Sequence, residues 1–108
     1  KMISDKDIDT AVHWLIDNAN DIARAKATLT YMEEFRKSLK AQIMKEHASL
    51  SVSAQEREAY ADSRMLKHLD TLRHATHEYE KHRFTREAQL AKIEAWRTYH
   101  ANLRSIKL

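Results

Sequence analysis

The chain has 108 residues, a length that suits one small domain, and it contains no glycine, no proline and no cysteine. Lack of cysteine excludes disulfides and thiol chemistry, and lack of glycine and proline argues against hairpin turns and sheets and removes any Gly-rich phosphate loop. The formal net charge is only +3, yet residues 1–21 carry two Lys against five Asp, while residues 81–108 carry seven Lys or Arg against two Glu.

The pattern predicts an all-α protein. Ser4 or Asp5 can cap a short amphipathic helix over about 5–18, with Asp5, Asp7 and Asp9 near its positive end. Ile8, Ala11, Val12, Leu15, Ile16 and Ala19 would make its buried face, with Trp14 at the flank. The polar cluster Asp17-Asn18-Ala19-Asn20-Asp21 is read as the first break.

A second helix is expected over about 21–48. Ile22, Ala25, Leu29, Met32, Leu39 and Ile43 follow a heptad, with Arg36 at the missing core position and Phe35 beside it. Glu33 and Lys37 are spaced as an i,i+4 pair. The stretch from Ser49 to Ser53 is the second break. Ser53-Ala54-Gln55-Glu56 has the form of a capping box, so a short helix is expected over about 54–61.

Asp62 and Ser63 then mark the start of a long helix over about 63–104, roughly 60 Å at 1.5 Å per residue. Met65, Leu69, Leu72, Thr76 and Tyr79, then Leu90 and Ile93, recur at helical spacing. A second stripe, Phe84, Ala88, Ala91, Ala95 and Tyr99, opens in the second half, and Trp96 and Leu103 point in a third direction. Two long helices with a short connection run antiparallel. The expected architecture is therefore a long coiled-coil-like antiparallel hairpin, with the short N-terminal helix packed at a thick end and the other short helix at a thin tip. A two-helix tip buries little surface, so homo-oligomerisation along the hairpin is expected.

Seven histidines raise the question of metal. His74, Glu78 and His82 share a helix face, a spacing that can hold a divalent ion, but a solvated face explains it as well and no second ligand cluster is evident. The reading is no metal site, no cofactor and no catalytic residue, because nothing pairs a nucleophile with a base. No run approaches the length of a membrane span and no secretory signal pattern occurs, so a cytoplasmic protein without a membrane partner is expected.

The candidate binding residues are the cations of the C-terminal quarter: Lys81, Arg83, Arg86, Lys92, Arg97, Arg104 and Lys107. Phe84, Trp96 and Tyr99 lie among them. Phosphate contact with base stacking is how single strands are held; alternatively the aromatics are core and the cations solvated. Arg83 and Arg86 interrupt a seam, and either pair with Glu33 or Glu34 across the hairpin or meet a partner.

The segments Glu34-Phe35-Arg36-Lys37-Ser38, Gln55 to Ser63 (QEREAYADS) and Ile93-Glu94-Ala95-Trp96-Arg97 resemble a group of small helical proteins encoded by tailed bacteriophages and prophages. Where that group often carries Ser-Pro after the "AYA" piece, this chain has Asp62-Ser63-Arg64. The group's genes tend to sit near those for DNA recombination and replication. The resemblance implies a setting in phage DNA metabolism, in the host-cell cytoplasm, and with the basic C-terminal half of the long helix it gives the first reading: a non-enzymatic protein that contacts single-stranded DNA or a DNA-handling protein through those cations. The other reading is a coiled-coil adaptor or inhibitor that binds a host or phage protein and never touches nucleic acid.

Overall fold

The computed structural model describes residues 3–107, with side chains through residue 106. It is an all-α helical hairpin. Helix α1 spans Asp5–Glu46, the short α2 spans Val52–Ala61, and α3 spans Ser63–Lys107. No strand occurs among the described residues. Contacts divide the chain into two compact units, one of Lys1–Ala23 with Glu80–Leu108 and one of Arg24–Tyr79.

The separate N-terminal helix predicted from the Asp17–Asp21 cluster does not exist, because α1 continues through it. Asn18 turns its side chain inward along the helix and donates to the Trp14 carbonyl at 2.9 Å. Ala11 and Ile22, both buried, hold the backbone on either side. Asn and Asp each cost a helix roughly 0.7 kcal/mol relative to Ala, which this burial outweighs; only Gly or Pro would have forced a break. The start is as expected. Ser4 Oγ accepts from the Asp7 N–H at 3.1 Å and Asp7 Oδ2 accepts from the Ser4 N–H at 2.9 Å, a reciprocal cap.

The unit of Arg24–Tyr79, where α2 closes the turn between α1 and α3, holds the buried cluster. Leu39, Ile43, Ala59 and Met65 form one buried cluster, with Phe35 and Met44 packed against it. Ile43 and Met65 are the largest fully buried side chains among those described. Arg36, at a core position of the heptad, is exposed, because its charge keeps it in water, and Phe35 beside it is half-buried against the core. On α3 the inward positions are Met65, His68, Leu72, Ala75 and Tyr79, at alternating steps of three and four. Leu69, assigned by hydropathy to the inner face, is 41 % exposed, and buried His68 lies inward instead. Its Nε2–H donates to the Met32 carbonyl at 2.8 Å, and its ring meets Phe35 edge-on at 5.3 Å.

The tip is also tied by charge. Arg64 bridges Glu46 at the end of α1 through two hydrogen bonds of 2.8 Å, and reaches Asp62 through two of 3.0 Å. Asp62, in extended conformation between α2 and α3, accepts from the Arg64 N–H at 2.8 Å, so it both ends α2 and caps α3. The Arg64 guanidinium holds the Glu46 and Asp62 carboxyls below their usual ranges, chiefly by hydrogen bonding, and its own pKa is raised in return. The cap of α2 is Ser51 rather than Ser53: Ser51 Oγ accepts from the Ala54 N–H at 3.2 Å. Gln55, the third residue of that helix's first turn after Val52, closes over Leu50 by donating to its carbonyl at 2.9 Å. Two serines two residues apart could each begin a helix, and the earlier one allows a longer α2.

In the other unit the inward positions of α1 are Ile8, Ala11, Leu15, Asn18 and Ile22. Those of the second half of α3 are His82, Arg86, Gln89, Ile93, Trp96, His100 and Leu103. Only Ala11 and Ile22 reach the buried class among the described residues of this unit. The expected thick end, where a third helix would cover a widened apolar surface, is absent because the N-terminal segment is the continuation of α1 itself.

Candidate interaction surface

The second half of α3 carries all seven cations singled out from the sequence. Lys81, Lys92, Arg97 and Arg104 are exposed; Arg83 and Arg86 are half-buried; the Lys107 side chain lies outside the described residues. They do not gather into one patch. Residues 83, 97 and 104 recur at multiples of seven and so share one side of α3 with Leu90, while Lys81 and Lys92 lie on the other side of the helix and Arg86 on the seam.

Several of these charges are met on their own helix. Arg83 pairs along α3: its Nη2 lies 2.6 Å from Glu80 Oε2 and its Nη1 3.0 Å from Glu87 Oε1. Its guanidinium also covers the Phe84 ring, 4.5 Å from the centroid. Arg97 Nη1 lies 3.0 Å from Glu94 Oε2. Glu34 in turn pairs with Lys37 at 3.2 Å, one residue off the Glu33–Lys37 pair suggested by spacing. Carboxylates three or four residues from an arginine on an exposed helix are its nearest partners, so local pairing competes well with longer reach.

The aromatics split. Phe84 is 57 % exposed and is not core. Trp96 is half-buried at the seam; its Nε1–H donates to Asp5 Oδ1 at 3.1 Å, joining α3 to the acidic first turn of α1. One face of Trp96 is taken by the His100 ring at 4.3 Å, and Tyr99 meets His100 edge-on at 5.5 Å. A shallow open cleft runs along this stretch, lined by Glu94, Trp96, Arg97, Thr98, His100, Ala101 and Arg104. The His100 ring covers one face of Trp96, and the cleft sets Arg97, Arg104 and the Thr98 hydroxyl beside the Glu94 carboxylate.

Apolar exposure is the feature that hydropathy reading misplaced. Ile16 is 67 % exposed and Val12 39 %, although both were assigned to the buried face of the first helix. On α1 the exposed series Val12, Ile16, Ala19 and Ala23 recurs at steps of four, three and four. On α3 the series Phe84, Ala88, Ala91, Ala95 and Tyr99 is exposed throughout, and Leu90 is 49 % exposed. The signal was present in the sequence: a stripe that drifts away from the seam positions is a second surface.

Among the described residues no group of three His, Cys, Asp or Glu side chains is disposed to hold a metal. His74 Nε2 lies 3.5 Å from Asp70 Oδ2 on its own helix. His13 is bonded through Nδ1 to the Asp9 carbonyl at 2.8 Å, which, with the Asp9 carboxylate, raises its pKa above the ordinary value. No described helix is long and apolar enough to cross a membrane. No family model, no curated protein and no solved structure matches this chain.

Proposed function

We propose that this protein works by contact, as a non-enzymatic helical hairpin whose partner-binding region is the unit of 1–23 and 80–108. The observation that carries the proposal is the pair of exposed apolar series on α1 and α3 in that unit, together with a seam there that includes Asn18, His82, Arg86, Gln89 and His100. Apolar area left in water on two helices gives a partner something to cover, at about 25 cal/mol for each Å² removed from water. The partner class that suits this surface is another protein. The resemblance to phage and prophage helical proteins suggests a DNA-handling protein of recombination or replication, in a cytoplasmic setting.

Direct contact with single-stranded DNA is the second reading, favoured by exposed Lys92 and Arg104. Pairing of Arg83 and Arg97 with glutamates, and the aspartates of α1 in the same unit, argue for the protein reading. The test is a photoreactive residue at position 84, and for comparison at position 31 in the other unit, in bacterial cells expressing the chain. Cross-links to a recombination or replication protein from position 84 alone are expected; none from position 84 would overturn the reading. In parallel, anisotropy of a labelled single-stranded oligonucleotide is followed at low and moderate salt. Weak or absent binding is expected. Tight binding that falls steeply with salt, and falls further on Lys92→Glu with Arg104→Glu, would put DNA in the partner's place.

A further inference from the structure

We infer that the α3 stripe from Phe84 to Tyr99 is a docking site for a second copy of this chain, and that the segment it receives is the exposed α1 stripe from Val12 to Ala23. The inference rests on the reading of this unit as a contact surface and names one occupant for it.

The two stripes match in three respects. Both are helical and apolar: Val12 and Ile16 are 39 % and 67 % exposed on one, Phe84 and Tyr99 57 % and 37 % on the other. Their extents are similar, about 17 Å from residue 12 to 23 and about 23 Å from residue 84 to 99 at 1.5 Å per residue. The small residues Ala88, Ala91 and Ala95, all exposed, let a second helix approach closely between Phe84 and Tyr99. Knob-like Ile16 is the side chain suited to that gap.

Charge selects the occupant. The described part of α1 in this unit carries five Asp against Lys6, and the described part of α3 carries Lys81, Arg83, Arg86, Lys92, Arg97, Arg104 and Lys107 against Glu80, Glu87 and Glu94. Each helix therefore bears a strong charge of one sign, and the unit as a whole is close to neutral. An α3–α3 contact between copies would set lysines against lysines. An α1 segment on α3 sets exposed Asp9, seven residues before Ile16 and so on the same side of α1, against the side of α3 that carries Lys81 and Lys92. A neutral unit with oppositely charged helices is poorly suited to a polyanion and well suited to its own copy.

Because the two stripes are different surfaces, the contact is heterologous: each copy gives its α1 stripe to one neighbour and its α3 stripe to another. This geometry sets the test. Sedimentation of the full chain at low salt, over a wide concentration range, is expected to show mass rising above that of the monomer. Ile16→Lys and Ala91→Glu each leave the helical signal unchanged, since both sites are exposed, and each alone is expected to be monomeric. Mixed in equal amounts they are expected to form a complex of two chains and no larger, since one intact α1 stripe then meets one intact α3 stripe. A second pair, Asp9→Lys and Lys92→Glu, tests charge alone. Each is expected to weaken association, and the mixture to restore it, with positive α1 now meeting negative α3. A wild-type chain that stays monomeric at every concentration overturns the proposal. So does a wild-type chain that associates while neither mixture does, which would mean like surfaces meet. If the chain stays monomeric yet cross-links from position 84 to another protein, the self-docking proposal falls and the contact reading stands.

Discussion

The two units share the same pair of helices and the same three-four spacing, and they use it to different ends. In the unit of 24–79, Leu29, Leu39, Ile43, Ala59 and Met65 are buried, and the one buried polar side chain named there, His68, is hydrogen-bonded. In the unit of 1–23 and 80–108, only Ala11 and Ile22 are buried among the described residues, and the inward positions include Asn18, His82, Arg86, Gln89 and His100. The unit of 24–79 also exposes Tyr31, Leu50, Val52, Tyr60, Leu66 and Leu69; Tyr31 stacks on Phe35 at 6.1 Å, Lys40 lies over the Tyr60 ring at 4.8 Å, and Leu66 and Leu69 are neighbours on α3, so the two units differ in their seams rather than in the number of exposed apolar side chains. Periodicity makes a helix pair; the identity of the seam residues decides whether that pair is a core or a surface. The same helical spacing can thus build a core in one unit and carry polar side chains along the seam of the other.

The sharpest way to break this comparison is to empty the core. Ile43→Ala is expected to cost about 2–5 kcal/mol, as large-to-small changes at fully buried sites do, whereas Ile16→Ala is expected to stay within about 0.5 kcal/mol. Thermal unfolding of the two variants side by side checks both. Equal losses would mean the two ends contribute alike.

Acid should loosen the unit of 24–79 first. Glu46 and Asp62 have folded pKa values depressed by Arg64, so their stabilisation is present above the ordinary carboxylate range of about 4 and is lost as pH falls through the lower folded values. Wild-type unfolding midpoints should therefore drop as pH falls below the ordinary carboxylate range of about 4. Arg64→Met should be less stable at neutral pH and show a flatter decline over that window. An unchanged slope in the variant would remove Arg64 from the account of acid sensitivity.

Smaller effects refine the same picture. Ser51→Ala removes the cap of α2 and is expected to cost about 1 kcal/mol, while Ser53→Ala, inside the helix, is expected to be close to neutral. Chemical denaturation separates the two, and a reversed order would restore Ser53 as the cap. The smallest effect belongs to His13. Its folded pKa is raised by Asp9, so its stabilisation is full below the ordinary value of 6.5 and disappears as pH rises through the raised value. His13→Gln should differ from wild type slightly at pH 5.5 and not at pH 8.5.

Much of this fold was legible in the residues. The missing Gly and Pro, and the heptad from Ile22 to Ile43, give two long helices and a short link, and Arg36 at the gap is exposed as its charge requires. What hydropathy could not show was which stripe of α3 turns inward, since that stripe is carried by His68, His82, Gln89 and His100 as much as by Leu72 and Ile93. A histidine joins a core when its N–H finds a carbonyl, and His68 finds that of Met32, thirty-six residues away. The continuity of α1 through Asn18 was hidden for a similar reason: local polarity suggested a break, and burial of Ala11 and Ile22 on each side decided against it. Among the candidate cations, position on α3 was readable, and so was the pairing of Arg83 with Glu87, which lies at i,i+4; Glu80, at i,i+3, is the partner spacing did not single out.

The division between a packed end and a contact end is tested most directly by amide hydrogen exchange of the full chain at two protein concentrations. At low concentration the slowest amides are expected around Leu39–Ile43 and Met65–His68, with faster exchange over residues 11–22 and 84–99. Raising the concentration should slow those two fast stretches and leave the core unchanged. Uniform protection along both long helices, independent of concentration, would contradict the division.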